Sequence, residues 1–212
     1  MNLIQFIRRC YGGLMTRFYH YKFHNIHKSA RVHYTADVYN STNLIMAENT
    51  NIDAKAVIMN GRAKLIMKKN SGAAIGLLVV TGNHMSVVGM SLKQVTNRMK
   101  EKLDINHELD KDVIVGEDVW IASRVTLLSG TQLGRGCEIG AGSVVRGKVP
   151  PYAVVVGNPA KVVGFRFTPE EIIEHEKHLY EEIDRLPVEL LYDNYEKFFL
   201  NRIKEIKQFN KL

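Results

Sequence analysis

Residues 115–145 read VGEDVWIASRVTLLSGTQLGRGCEIGAGSVV, and an aliphatic residue recurs in this stretch at every sixth position. The series consists of Val115, Ile121, Leu127, Leu133, Ile139 and Val145. A small or β-branched residue follows each member four positions later, at Val119, Val125, Thr131, Cys137, Ser143 and Val149. A period of six matches neither the 3.6-residue period of an α-helix nor the alternation of an ordinary β-strand.

The six-residue period indicates a mainly β fold, a parallel β-helix. Each step fits one short strand and one tight corner, with the aliphatic residue pointing inward and glycine supplying corner dihedrals. Three steps close one triangular turn, and successive turns stack at the ordinary strand spacing of about 4.8 Å. Because a single turn leaves its apolar side exposed, several turns must stack to form a core.

The repeat continues upstream with slips in its phase. Three separate phases are visible, formed by Val38 with Leu44, by Ile52 with Ile58, and by Leu65 with Ser71 and Leu77. The pattern then stops at His84 and resumes at Val115, so residues 85–112 are predicted to be a loop inserted between turns. Long inserted loops in compact domains are usually functional. The helical spacing in this loop predicts a short helix, formed around Leu92, Val95, Met99 and Leu103.

Helical segments are predicted at both ends of the coil. Residues 2–19 carry apolar residues at three-and-four spacing, with a break at Gly12-Gly13. Thr168 and Glu171 form a capping-box pattern that opens a helix running to about Arg185, and a second helix is predicted over 188–207. The expected organisation is a helical, basic arm over 1–30, the β-helix over 31–164 and a helical extension over 165–212.

The composition is that of an ordinary globular protein. Of the 212 residues, 45% are hydrophobic and 24% are charged, which excludes a wholly disordered chain. No apolar run is long enough to span a membrane, and the N-terminus does not fit a secretory signal. Two cysteines, Cys10 and Cys137, provide no disulfide framework, so a cytoplasmic protein is expected.

The net charge of +7 is concentrated near the N-terminus. Six basic residues and no acidic residue precede Asp37. Such a segment suits contact with an anionic membrane surface or nucleic acid, or packing on the main domain. We expect no nucleic-acid partner and at most a weak, salt-sensitive association with anionic vesicles.

Several motifs in the second half of the chain belong together. The elements VWI, IGAGSVV, PP and GNPAK within residues 118–163 resemble the hexapeptide-repeat acyltransferases, which include galactoside, maltose, serine and xenobiotic acetyltransferases. TGNHM at 81–85 resembles the segment that holds the family's catalytic histidine, and FRFTPEEI at 165–172 resembles the start of the C-terminal helix in the xenobiotic branch. The resemblance covers residues 77–172, under half of the chain.

The resemblance implies a left-handed β-helix and a homotrimer whose active sites lie between subunits. It implies that acetyl-CoA, or another acyl-CoA, is a co-substrate, with no permanently bound cofactor. The acceptor is expected to be a sugar, a polysaccharide precursor or a similar hydroxylated small molecule. Two alternatives stay open: a xenobiotic (antibiotic) acetyltransferase, and a non-catalytic β-helix that serves as an assembly module.

His84 is the predicted general base. It lies in a Gly-Asn-His turn where the repeat breaks, and an imidazole accepts a proton near neutral pH. Without the resemblance, a solvated loop histidine is the simpler interpretation. The neighbouring Asn83 and the single tryptophan, Trp120 of the VWI motif, are predicted to contact the acceptor, and Trp120 also to contact the acyl donor.

The resemblance also implies residues that bind CoA. Ser123 and Ala141 match positions that contact the pantetheine arm, and their separation predicts that they lie one above the other on adjacent turns. Corner packing explains them equally well. Lys161 and Arg146 match positions near the CoA phosphates, although RGK at Arg146 departs from the usual TKD of the family.

No metal site is expected. His20, His24 and His27 would share one face if their segment were helical, but no carboxylate or thiolate lies nearby in the sequence. His107 lies in the inserted loop, where it is free to approach an acceptor. Cys137 occupies a small corner position, which indicates packing rather than nucleophilic chemistry.

Overall fold

The computed structural model describes residues 3–209 and consists of three parallel sheets with helices at both ends. The helices are α1 (Leu3–His20), α2 (Asn97–Leu103), α3 (Pro169–Leu179), α4 (Val188–Phe198) and α5 (Ile203–Phe209). Short 3-10 turns lie at Ser41–Asn43, Glu182–Asp184 and Leu200–Arg202.

The strands are short and are distributed over the three sheets in rotation. Sheet I holds β1 (Arg31–Val32), β4 (Asn51–Ile52), β7 (Gly72–Ala73), β10 (Trp120–Ile121), β13 (Glu138–Ile139), β16 (Ala153–Gly157) and, antiparallel at its end, β17 (Ala160–Phe165). Sheet II holds β2 (Asp37–Val38), β5 (Val57–Met59), β8 (Leu78–Val80), β11 (Thr126–Leu128) and β14 (Val144–Val145). Sheet III holds β3 (Leu44–Met46), β6 (Leu65–Met67), β9 (Val113–Val115), β12 (Gln132–Leu133) and β15 (Lys148–Val149).

Each strand pairs with the third strand after it, so the chain passes through sheets I, II and III and returns to sheet I. In the regular part, Thr126 pairs with Val144, which is one 18-residue turn of the predicted repeat. The mainly parallel β architecture with helices at both termini is therefore as predicted.

The core lies inside this three-sided coil. All six members of the aliphatic series beginning at Val115 are at most 3% exposed, and the six small or β-branched residues are buried as well. Two inward positions per step explain why both series are apolar or small. Buried hydroxyls at the corners bond to the backbone; the Ser71 hydroxyl, for example, donates to the Lys68 carbonyl at 2.7 Å.

The upstream phases differ from the simplest extension of the repeat. Leu65 pairs with Val113, so Leu65, Ser71 and Leu77 continue the small-residue series rather than the main aliphatic series. The reason is the length of the earlier turns. Asp37 pairs with Val57 and Leu44 with Leu65, which are separations of 20 and 21 residues instead of 18.

The terminal helices also differ in detail from the prediction. The helix α1 continues through Gly12-Gly13, where a break was expected, and residues 1 and 2 lie outside the described range. The capping box formed by Thr168 and Glu171 is present, but α3 ends at Leu179 rather than near Arg185. The second C-terminal helix is divided by the 3-10 turn at Leu200–Arg202.

A buried ionic network joins α3 to the coil. The Arg135 guanidinium bonds both oxygens of Glu176 at 3.1 and 3.0 Å, and the Tyr152 hydroxyl donates to the same carboxylate at 2.9 Å. Burial alone would lower the pKa of Arg135, but its bond to Glu176 and the charges of Glu176 and Glu117 raise it. The C-terminal extension is therefore fixed to the coil by charge as well as by apolar contact.

Candidate active site

A cavity lies at the corner between sheets II and III, where the chain leaves β8 for β9. Its volume is about 390 Å³, and its walls include Tyr39 and Met59 from earlier turns together with His84 and residues of the inserted loop. Leu65 pairs with Val113, so this corner carries an insertion that lengthens the turn to 48 residues. The two shorter insertions in the preceding turns lie at the same corner, since β2–β3 and β5–β6 also connect sheets II and III.

His84 lines this cavity and is exposed. Its ring Nδ1 lies 3.2 Å from the Met85 carbonyl oxygen. A carbonyl oxygen only accepts hydrogen bonds, so this contact assigns the proton to Nδ1. The lone pair of Nε2 is then free to accept a proton from a bound molecule.

The inserted loop is tied back to the turn that carries His84. The Asn83 backbone N–H and side-chain amide both donate to the Leu109 carbonyl, at 2.9 and 3.2 Å. From α2, the Lys100 ammonium donates to the Asn83 carbonyl at 2.7 Å and to Asp110 at 2.6 Å. Asn83, predicted to contact the acceptor, therefore uses its amide to hold the loop.

Asp110 is the buried centre of this arrangement. Its side chain is 4% exposed and lies between two cations, Lys100 at 2.6 Å and Arg62 at 3.1 Å. The Arg62 guanidinium also contacts the His107 ring at 3.0 Å. Among the residues that the structure describes, His107 does not line the cavity, because it contacts Arg62 instead of an acceptor space.

Sequence reasoning missed the group formed by Arg62, Lys100 and Asp110. These three side chains are separated by long stretches of chain and follow no repeat, and only the closure of the loop brings them together. The signal that was available is positional: the slip in the repeat near Arg62 and the long insertion mark the same corner.

The two residues predicted to lie near the CoA phosphates line a second cavity. It has a volume of about 340 Å³ and lies at the last turn, where Arg146, Lys148 and Lys161 meet α4 and α5. The Lys161 ammonium pairs with Glu205 at 3.4 Å, and both side chains are more than half exposed. Arg146 follows β14, two strands beyond β8 in sheet II, so it lies at the same corner as His84 about 10 Å along the coil.

Ser123 and Ala141 occupy a different corner, between sheets I and II. They lie on adjacent turns, as their spacing predicts, and the Gly142 N–H donates to the Ser123 carbonyl at 3.0 Å. Trp120 lies on the outer face of sheet I between Gly72 and Glu138 and is 52% exposed. None of these three lines the cavity at His84, so a single chain does not bring them to that histidine.

Other candidates have structural explanations. Cys137 is fully buried, and burial raises the pKa of its thiol to about 12, so it stays protonated. The helix α1 ends at His20, so His24 and His27 lie beyond it and the helical face considered for these histidines does not form. Within residues 3–209, no group of three or more histidine, cysteine, aspartate or glutamate side chains is arranged to hold a metal.

Comparisons with known proteins agree with the repeat. The model of the bacterial transferase hexapeptide family (six repeats) matches residues 112–147. A chloramphenicol acetyltransferase of Klebsiella aerogenes is 48% identical over 61 residues, which are 29% of this chain and 29% of that protein. A putative lipopolysaccharide biosynthesis O-acetyl transferase of Escherichia coli is 47% identical over 51 residues, 24% of this chain and 26% of that protein. These matches span less than a third of either relative.

Among solved structures, a hexapeptide-repeat acetyltransferase of Vibrio cholerae, crystallised with acetyl coenzyme A, has the same fold. The match has a TM-score of 0.51 and 23% identity, and it covers 66% of this chain and 69% of that one. The chain is thus similar in sequence and in fold to the hexapeptide-repeat acetyltransferases, which confirms the resemblance given by its motifs.

Proposed function

We propose that the chain is an acyl-CoA-dependent O-acetyltransferase that acts on a sugar, a polysaccharide precursor or a similar hydroxylated small molecule. The observation that carries the proposal is His84, which lines a cavity at the break in the repeat with Nδ1 bonded to a carbonyl and Nε2 free. The similarity to an O-acetyl transferase of lipopolysaccharide biosynthesis supports a glycan hydroxyl as the acceptor.

The proposed reaction is a direct transfer. Nε2 of His84 accepts the proton of the acceptor hydroxyl, and the oxygen attacks the thioester carbonyl carbon of acetyl-CoA. A new C–O bond forms, the tetrahedral oxyanion collapses, and the C–S bond breaks. The departing CoA thiolate takes the proton from the imidazolium, which regenerates neutral His84 and leaves an acetyl ester and free CoA.

The proposed assembly is a homotrimer of left-handed β-helices with sites between copies. Ser123 and Ala141 lie at the corner between sheets I and II, whereas His84 lies at the corner between sheets II and III. A pantetheine arm along the first corner of one copy would meet the histidine of its neighbour. Trp120 would line the same channel, and Arg146 and Lys161 would face the CoA phosphates. Acetyl-CoA is a cytoplasmic metabolite, so the reaction belongs in that compartment.

A second candidate acceptor is an antibiotic. The 48% identity to a chloramphenicol acetyltransferase favours it, although only 61 residues are compared. The cavity wall combines the apolar Tyr39, Met59 and Val95 with the charged Lys100 and Glu101, which suits an acceptor with both apolar and polar faces. An acceptor panel that contains sugars, oligosaccharides and chloramphenicol distinguishes the two candidates.

The test is CoA release from acetyl-CoA, followed with a thiol reagent, in wild type and in His84→Ala. We expect the variant to lose turnover by about 100-fold or more, because a general base contributes about that factor. His178→Ala is the matched control, since His178 is 74% exposed on α3, away from the cavity. This control should retain the wild-type rate.

Two results would contradict the proposal. An unchanged rate in His84→Ala would remove this histidine from the mechanism. Absence of CoA binding together with absence of transfer to every acceptor would favour the non-catalytic assembly module.

A further inference from the structure

The helix α1 presents a row of large apolar side chains to solvent. These residues, called here the α1 stripe, are Ile4, Ile7, Tyr11, Leu14 and Phe18, and each is between 54 and 63% exposed. Their three-and-four spacing places them along one face of the helix. Soluble proteins ordinarily turn such a face toward the core, so something outside the described chain must cover it.

The helix is held on the coil by a different face. The Thr16 hydroxyl accepts a bond from the Tyr34 backbone N–H at 3.4 Å, and the Tyr19 hydroxyl donates to the Ala36 carbonyl at 2.7 Å. Gly12 lies against the Tyr34 ring. Small and polar residues therefore dock α1, while its apolar stripe stays available.

The charge around α1 selects an anionic partner. Six basic residues and no acidic residue precede Asp37. Arg17, Lys22, Lys28 and Arg31 are all exposed. Pairing two copies of α1 through the stripe would bring two strongly positive segments together, which is unfavourable. An anionic surface with an apolar interior satisfies both the stripe and the cations.

We propose that α1 is a membrane-surface helix that binds anionic lipid bilayers. The α1 stripe would lie at the boundary of headgroups and acyl chains, with the surrounding Lys and Arg residues near lipid phosphates and carboxylates. Tyr11 and Tyr21, both exposed, have the amphipathic rings that favour this interface. Within residues 3–209 no helix is long and apolar enough to cross a membrane, so α1 would lie along the surface.

The test is co-sedimentation of the full chain with vesicles of phosphatidylcholine alone and of phosphatidylcholine mixed with phosphatidylserine. We expect binding to the anionic vesicles at low salt, loss of most of it at high salt, and little binding to neutral vesicles. The stripe variant carries Ile7→Ser, Leu14→Ser and Phe18→Ser, and should bind at least about tenfold more weakly. Ile183→Ser is the matched control, because Ile183 is 92% exposed outside α1.

A second variant keeps the proposal falsifiable if the stripe variant is poorly folded. Arg17→Glu with Lys22→Glu leaves the stripe intact and should weaken binding to anionic vesicles several-fold. A fluorophore on Cys10 reports the helix directly, because Cys10 is exposed on α1 and Cys137 is buried. Its emission should shift to the blue on anionic vesicles.

Four results would overturn the proposal. The wild-type chain fails to bind anionic vesicles at low salt; the stripe or charge variant binds as the wild type does; the chain sediments without any response of the Cys10 label. The fourth is a change in oligomeric mass of the folded stripe variant without vesicles, which would make the α1 stripe an interface between copies.

Discussion

At the scale of single residues, the environment of His84 is made by the backbone and by one lysine. No carboxylate among the described residues bonds its ring; the Met85 carbonyl orients Nδ1 instead. The turn that carries the histidine is fixed through Asn83, whose carbonyl accepts the Lys100 ammonium. Lys100 is therefore a positioning residue, since it touches the turn and Asp110 rather than the ring.

Replacing Lys100 with methionine should lower kcat about tenfold, because the His84 turn loses its tether and its geometry loosens. The loop should also open more readily, since Asp110 loses one of two cations in a buried pair. We expect faster proteolysis within residues 85–112 and a nearly unchanged thermal midpoint. Lys93→Met, an exposed lysine of the same loop, is the control; equal kcat in both variants would dismiss the positioning role.

At the scale of elements, the coil is regular at two corners and irregular at the third. The corner between sheets III and I is so tight that successive turns leave no space for a side chain at Gly116 or Gly134. A Cβ on Gly134 would lie 2.6 Å from the Pro151 nitrogen and 2.9 Å from the Val149 carbonyl oxygen. All the insertions lie instead at the corner between sheets II and III, where the candidate site forms.

Gly134→Ala should destabilise the chain by about 2 kcal/mol, because the clashing atoms belong to the backbone of the next turn and move only with it. Gly164→Ala is the matched control, since a Cβ there meets nothing within 4 Å. Urea unfolding followed by circular dichroism measures the free energy of unfolding of both. Equal stabilities for the two variants would mean that the corner is looser than the stacking indicates.

At the scale of the whole molecule, the residues proposed for one reaction lie at two different corners of the same coil. Ser123 and Ala141 follow strands of sheet I, whereas His84 follows a strand of sheet II. A closed threefold assembly can bring unlike corners of neighbouring copies together. The proposed trimer therefore has a direct functional test.

Mixing two inactive variants, His84→Ala and Ala141→Glu, should restore activity if sites lie between copies. Random mixing in equal amounts gives about a quarter of the sites an intact histidine from one copy and an intact groove from the next. Acetyl transfer after joint refolding measures the recovery, and each variant refolded alone is the control. Mixed trimers that remain inactive would assign both groups to a site within one chain.

The regular repeat was the most predictable part of the molecule. Each inward position beginning at Val115 had to be apolar or small, because it faces a narrow interior, so the buried residues could be listed from spacing alone. The upstream phase was less clear, since turns of 20 and 21 residues shift the pattern. The continuity of α1 through Gly12-Gly13 was not predicted, because packing on β1 outweighs the weak helix propensity of glycine.

The sequence by itself determined the three-sided coil, its inward residues and the place where the repeat breaks at His84. Periodicity carries this information because every turn repeats the same local contacts. Only the tertiary structure decided that the insertions share one corner, that Lys100, Arg62 and Asp110 meet beside His84, and that the α1 stripe faces solvent. These contacts join distant parts of the chain, and they depend on how turns stack and loops close rather than on any local pattern of residues.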